Sequence, residues 1–329
     1  MVHGERTSGQ FPYQFSEFPS GKRISADAAI FYQRMNASIA ERTALYLGYY
    51  QNHIDESRTR IMQAAEGLQG RALIVGLGVG IDIPLEQITT QFDEVTILDL
   101  DEHATRKRLA SLPENLQEKC HLVIDDLTGI TGDYTAAIMA AATHADRLPD
   151  FLEEAESISR AASPQPYQTP GQYDFITSSL ITTQLVSQLH DYTEKNAKER
   201  YGISGLPATD LTFPYLLALT HLTTRAQSAY LRFLLQSCKP DGKIYYSDTV
   251  SQILLARDPQ TQSVSRTSDH LVMVAEPEQF NQEMLLLFDT QPLGNWVWYQ
   301  KPPSQAVLFP TQGAAFSVEA LTISPKKSA

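Results

Sequence analysis

The chain has 329 residues, 42% apolar and 19% charged, with a formal net charge of -12. That is the make-up of a globular protein with a sizeable core, in one large domain or two of roughly 150 residues, and the acid excess disfavours a broad nucleic-acid footprint, which needs a basic face. No apolar run approaches the roughly 18 residues that span a bilayer. The two cysteines, Cys120 and Cys238, form neither a disulfide framework nor a zinc spacing, and residues 1–30 lack an apolar signal core, so a reducing, cytoplasmic setting is expected.

Residues 1–24 are polar and rich in Gly and Pro, but they hold Phe11, Tyr13, Phe15 and Phe18, an arm expected to pack somewhere. From Ala26 to Leu68 there is no proline, and Ile30, Phe31, Met35, Ile39, Leu45, Ile54 and Ile61 recur at helical spacing. Two or three helices are expected here. Their Tyr32, Tyr46, Tyr49 and Tyr50 either line a pocket or lie as amphipathic rings at a packed surface. Residues 1–68 thus read as an arm and helical extension ahead of a main domain at 69–329.

Arg71 to Asp101 organises the rest. Leu73, Ile74 and Val75 make an apolar run that stops at Gly76, Gly78 and Gly80; a helical pattern follows, then Val95 to Leu98 and an acid, Asp99. This is the start of a nucleotide-binding βαβ unit. The glycines permit a sharp turn with bare backbone, and an acid ending the second strand can accept two hydrogen bonds from a ribose diol. A dinucleotide fingerprint needs a small residue at 81, where this chain has Ile81. The run is therefore GxGxG, and it resembles the first motif of class I S-adenosylmethionine (SAM) dependent methyltransferases.

A third strand is expected at His121 to Ile124, followed by Asp125, Asp126 and Leu127. An acid there lies on the same sheet edge and can accept from the adenine amine; which of the two does so is open. Residues 128–171 depart from a compact βαβ rhythm. Ala136 to Ile158 reads as helix, and 163–171 as a Pro-rich loop. Tyr173 to Leu180 is the fourth strand, closed by Ser178 and Ser179, without the Asn/Asp-Pro-Pro-Tyr/Phe motif of enzymes acting on DNA bases or glutamine side chains. Residues 185–214 form a second excursion, helical over Leu185 to Tyr201. Tyr215 to Cys238 is an amphipathic helix, and Lys239-Pro240-Asp241-Gly242 leads to a fifth strand over Lys243 to Ser247, closing at Asp248. Leu271 to Ala275, Met284 to Phe288, Trp296 to Tyr299, Ala306 to Phe309 and Phe316 to Ile323 are candidate strands, two of them expected to pair as an antiparallel hairpin closing the sheet.

The order of these motifs over roughly Gly70 to Asp248 carries the resemblance. It implies an α/β, Rossmann-like methyltransferase fold: a mostly parallel seven-stranded sheet with flanking helices, a helical N-terminal extension and inserted helical lids. It implies SAM as cofactor and S-adenosylhomocysteine (SAH) as product. Gly76, Gly78 and Gly80 would lie beside the methionine part, Asp99 on the ribose with Leu100 flanking the adenine, Asp125 or Asp126 with Leu127 at the adenine edge, and Ser178 near the sulfonium. The implied chemistry is in-line displacement by a nucleophile of the acceptor; the inserted lids and aromatic helices suit a small molecule, the acid excess disfavours nucleic acid, no membrane partner is expected, and an oligomer is left open. His190, Asp191 and His221 are candidate bases, though packing or surface roles suit them better. No metal site is expected, since Asp99, Asp101, Glu102 and His103 read as a helix-start acid run. A non-catalytic SAM sensor and a nicotinamide oxidoreductase are the competing readings.

Overall fold

A computed structural model describes residues 26–45, 47–169, 171–203, 205–206, 209–257, 264–271, 277–301 and 312–326. The aromatic arm at 1–24 and the candidate strand at Ala306 to Phe309 lie outside them.

Leu73 and Val75 of β1 (Arg71–Val75) point to one face of the sheet and Ala72 and Ile74 to the other. Both faces are buried, as a parallel sheet covered by helices requires. β2 (Glu94–Asp99), β3 (Cys120–Ile124) and β4 (Tyr173–Ser179) join β1 in parallel, as does the first part of β5 (Cys238–Arg257). β7 (Phe288–Lys301) and β8 (Gln312–Pro325) form an antiparallel pair, and β8 enters between β5 and β7. The order is β3-β2-β1-β4-β5-β8-β7, a seven-stranded sheet in which β8 runs against the others. An eighth strand, β6 (Val264–Leu271), pairs only with the far half of β5.

Helix α2 (Leu47–Ala64) follows α1 (Ala26–Leu45) and packs with α3 (Leu85–Gln91) on one face. His53 ties α2 to β7: the Trp296 indole N–H donates to its Nδ1 at 3.0 Å, and Trp298 stacks on the ring at 4.5 Å. Tyr50 is buried edge-on to Trp298, a packing role, whereas Tyr49 is exposed; the side chains of Tyr32 and Tyr46 lie outside the described residues. Short helices α4 (Glu102–Leu109) and α5 (Glu114–Gln117) connect β2 to β3. Helix α9 (Phe213–Ser237) packs on the other face with α10 (Pro277–Leu287).

The two excursions meet. α6 (Thr131–His144), α7 (Leu148–Ala161) and α8 (Gln184–Tyr201) join the first half of α9 around Tyr134, Phe151, Leu189, Tyr192 and Tyr215 in a third core cluster. The single helix expected over Ala136 to Ile158 is two, because the chain turns at 145–147 and Pro149 restarts the helix in its first turn.

Two expectations are corrected. Of the strand read at Met284 to Phe288, Met284 to Leu287 are the end of α10 and only Phe288, the first residue of β7, is strand: Phe280 and Met284, four apart, are buried at 6% and 5% exposure while Leu286 is 75% exposed, so the burial follows the helical period. β5 does not stop at Asp248 but continues to Arg257, paired with β8 and β6. Of the strand read at Leu271 to Ala275, Leu271 is the last residue of β6 and 272–275 lie outside the described residues. No described helix is long and apolar enough to cross a membrane.

Candidate functional site

The register aligns the carboxyl ends of four strands. Val75 pairs with Leu98 and with Ser178, and Ser179 pairs with Ser247. The glycine turn lies on this edge. Gly76, Gly78 and Gly80 all have positive φ (68°, 51° and 66°), which L side chains avoid. Their bare sides differ. A Cβ on Gly76 would collide with the Ile181 side chain, and one on Gly80 would press on Arg108, but at Gly78 nothing lies within 4 Å. Only Gly78 offers open backbone to a ligand.

Asp99 closes on that glycine. Its Oδ2 accepts the Gly78 N–H at 2.6 Å and its Oδ1 accepts the Asp101 N–H at 2.8 Å. Burial holds its carboxyl above the usual carboxylate range, against the pull of the backbone N–H groups. A carboxylate has about four acceptor positions, so lone pairs remain for a ligand diol. Leu100 is half-buried beside it, and Asp101 caps α4 by accepting the Ala104 N–H at 3.0 Å. Among the described residues no cluster of His, Cys, Asp and Glu could hold a metal ion.

The two acids after β3 separate by geometry. Asp126 accepts from the Thr128 N–H, the Thr128 hydroxyl and the Thr131 N–H at 2.7–2.9 Å, and so builds the turn that starts α6. Asp125 accepts the Asp126 N–H at 2.8 Å and the Tyr167 hydroxyl, brought by the inserted loop, at 3.1 Å. Burial, followed by the charge of Asp125, pushes the Tyr167 hydroxyl pKa up. A cavity of about 830 Å³ opens here, lined by Asp125, Leu127, Ile130, Tyr134, Ile158 and Tyr167 among others.

On the β4 side the two serines face opposite ways. Ser178 is fully buried and shares a 2.7 Å hydrogen bond with the Tyr230 hydroxyl of α9, so its side chain is turned from the glycine turn. Ser179 instead donates to Asp82 Oδ2 at 2.9 Å and receives the Ser247 hydroxyl at 3.4 Å. The next residue, Leu180, takes φ 57°, a left-handed conformation that costs a non-glycine residue about 1 kcal/mol or more and clusters at functional sites. That turn lays Ile181 over Gly76. Asp248 anchors it: Oδ1 accepts the Thr183 hydroxyl and the Thr249 N–H, each at 2.8 Å. Burial raises the Asp248 pKa to about 6.

His190 bridges Tyr215 and Glu194, within α8 and α9 packing, while Asp191 and His221 are exposed on the same two helices. Asp82 and Asp248, to which the sequence reading gives no site role, lie with Ser179 at the ends of the neighbouring strands. Their local signals are Asp82 two residues past the glycine trio and Asp248 closing the fifth apolar run.

No family model matches the chain, and no curated protein matches it. Among solved structures it is similar to a DhpI–SAH complex, at 12% identity over 92% of this chain and all of that one, with a TM-score of 0.39. It is also similar to the glycopeptide N-methyltransferase MtfA complexed with SAM, at 12% identity over 82% and 87% of the two chains and a TM-score of 0.36. The N-methyltransferase NodS from Bradyrhizobium japonicum gives 10% identity over 85% and 98%, with a TM-score of 0.37. The strand order with its one reversed strand, and the glycine turn ending β1, define a class I, Rossmann-like methyltransferase fold.

Proposed function

We propose that this chain is a SAM-dependent methyltransferase acting on a small-molecule acceptor. The observation that carries the reading is the open backbone at Gly78 joined to the Asp99 carboxylate, with Asp82 and Asp125 on the same acidic edge. A carboxylate at Asp82, beside the glycine turn, favours a cationic ligand there and repels a pyrophosphate, which argues against a nicotinamide dinucleotide. Ile81, at the position a dinucleotide turn keeps small, points the same way.

In this reading Gly78 supports the methionine arm, Asp99 holds the ribose hydroxyls, Leu100 and Leu127 flank the adenine, and Asp125 accepts its amine. Asp126 serves the fold. Ser178 contributes backbone, its hydroxyl being committed to Tyr230. SAM, when bound, supplies an already activated methyl group, so the chain has mainly to align the acceptor and exclude water. The inserted helices wall the adenine end, and the net charge of -12 disfavours nucleic acid as acceptor.

Calorimetry tests this. SAM and SAH are expected to bind and NAD to bind far more weakly; the reverse order rejects the cofactor. Asp99→Ala is expected to weaken SAM binding by about 1.5–3 kcal/mol, the worth of hydrogen bonds to a charged group. Methyl-labelled SAM incubated with a small-molecule extract then separates turnover from binding alone: label that never leaves the cofactor favours a sensor.

A further inference from the structure

We infer that Asp82 reads the positive charge of the methyl donor and so separates SAM from its neutral product; this rests on the cofactor reading above. The sheet order supplies the place. β1 lies between β2, which carries Asp99, and β4, so a ligand reaching from Asp99 past the glycine turn would meet β4 next. Where it meets β4, Ser179 donates to Asp82 Oδ2 at 2.9 Å and fixes the carboxylate beside the glycine turn.

The other carboxylates of the edge are committed. Asp99 accepts from Gly78 and Asp101, Asp125 from Asp126 and Tyr167, Asp126 from Thr128 and Thr131, and Asp248 from Thr183 and Thr249. Asp82 differs. It is half-buried, and among the described residues its Oδ1 has no hydrogen-bond partner and no cation pairs with it. The titratable ring that shares its surroundings, His53, does not cancel its charge. The Trp296 N–H donates to His53 Nδ1, which leaves the proton of the neutral ring on Nε2, and burial lowers the ring's pKa against the opposing effect of Asp82. A fixed anion with a free oxygen, facing no competing cation, is a receptor for a cation.

Both ligands carry an α-ammonium but only SAM carries a sulfonium, so a carboxylate set against the sulfur discriminates between them where shape recognition does not. The test measures SAM, SAH and sinefungin, whose ammonium replaces the sulfonium, by calorimetry on the full chain. Asp82→Asn keeps the acceptor for Ser179 and removes the charge. It is expected to weaken SAM and sinefungin by about tenfold, as an opposite charge at close range does, while SAH changes less than about twofold. Ser179→Ala, which frees the carboxylate to turn away, is expected to lose the same ligands selectively by a smaller factor. An equal change for SAM and SAH in Asp82→Asn, or no change in either, overturns the inference. A wild-type chain that binds none of the three defeats the cofactor reading itself.

Discussion

The two halves of the strand-end crevice are built differently. On the β2 and β3 side, Asp99, Asp101, Asp125 and Asp126 bond mainly to backbone groups a few residues away, with Gly78 and Tyr167 the long-range exceptions. On the β4 and β5 side, Ser179 meets Asp82 across 97 positions and Thr183 meets Asp248 across 65. Local acids shape turns that the chain makes anyway. Distant pairs hold the turn after β4, with its left-handed Leu180, in a conformation the local sequence resists.

The contrast is sharpest at the glycines. Gly76→Val adds a β-branched side chain at φ 68° and drives it into Ile181, an expected cost of about 2–5 kcal/mol in urea unfolding. Gly78→Ala meets only the backbone strain, about 1–2 kcal/mol. Equal losses would mean that Ile181 does not seal the first glycine.

A second break point is pH. The Asp248 pKa is raised from 3.8 to about 6. Between those values the folded chain keeps a proton that the unfolded chain has released. Stability therefore falls as pH rises through that window and levels off above it, by about 3 kcal/mol in all. Asp99, raised in the same direction, adds to the slope. Asp248→Asn is expected to flatten the pH dependence of the unfolding midpoint without abolishing it; an unchanged slope would remove Asp248 from the account.

The smallest effects separate the neighbouring acids. Asp126→Ala leaves two buried N–H groups without their acceptor and is expected to cost about 2 kcal/mol of stability with SAM affinity nearly intact. Asp125→Ala, which leaves the Asp126 N–H and the Tyr167 hydroxyl without their acceptor, is expected to cost about 1 kcal/mol of stability and, unlike Asp126→Ala, to weaken SAM by about 1 kcal/mol as well.

Much of this was legible in one dimension. Apolar runs of four or five residues ending in glycine or acid mark strands buried on both faces, and strand, glycine turn, helix, strand and acid follow one another within thirty positions, so the β1 to β3 half could be read with the glycines and acids on its strand ends. Helices α8 and α9 were legible from their period. The apolar cluster at Met284 to Leu287 was not, because a short run satisfies both periods until burial shows which side chains face the core.

The amino-acid sequence by itself determined the strand ends and the chemistry on them: bare backbone at 76–80 and acids at 99, 125 and 126. Tertiary structure alone decided which of these groups remain available, filling Gly76 with Ile181, turning Ser178 to Tyr230 and leaving Asp82 one free oxygen. The reason is range: a turn's geometry is set by neighbours in the chain, whereas the partner of a buried polar group is set by the fold that brings distant segments together.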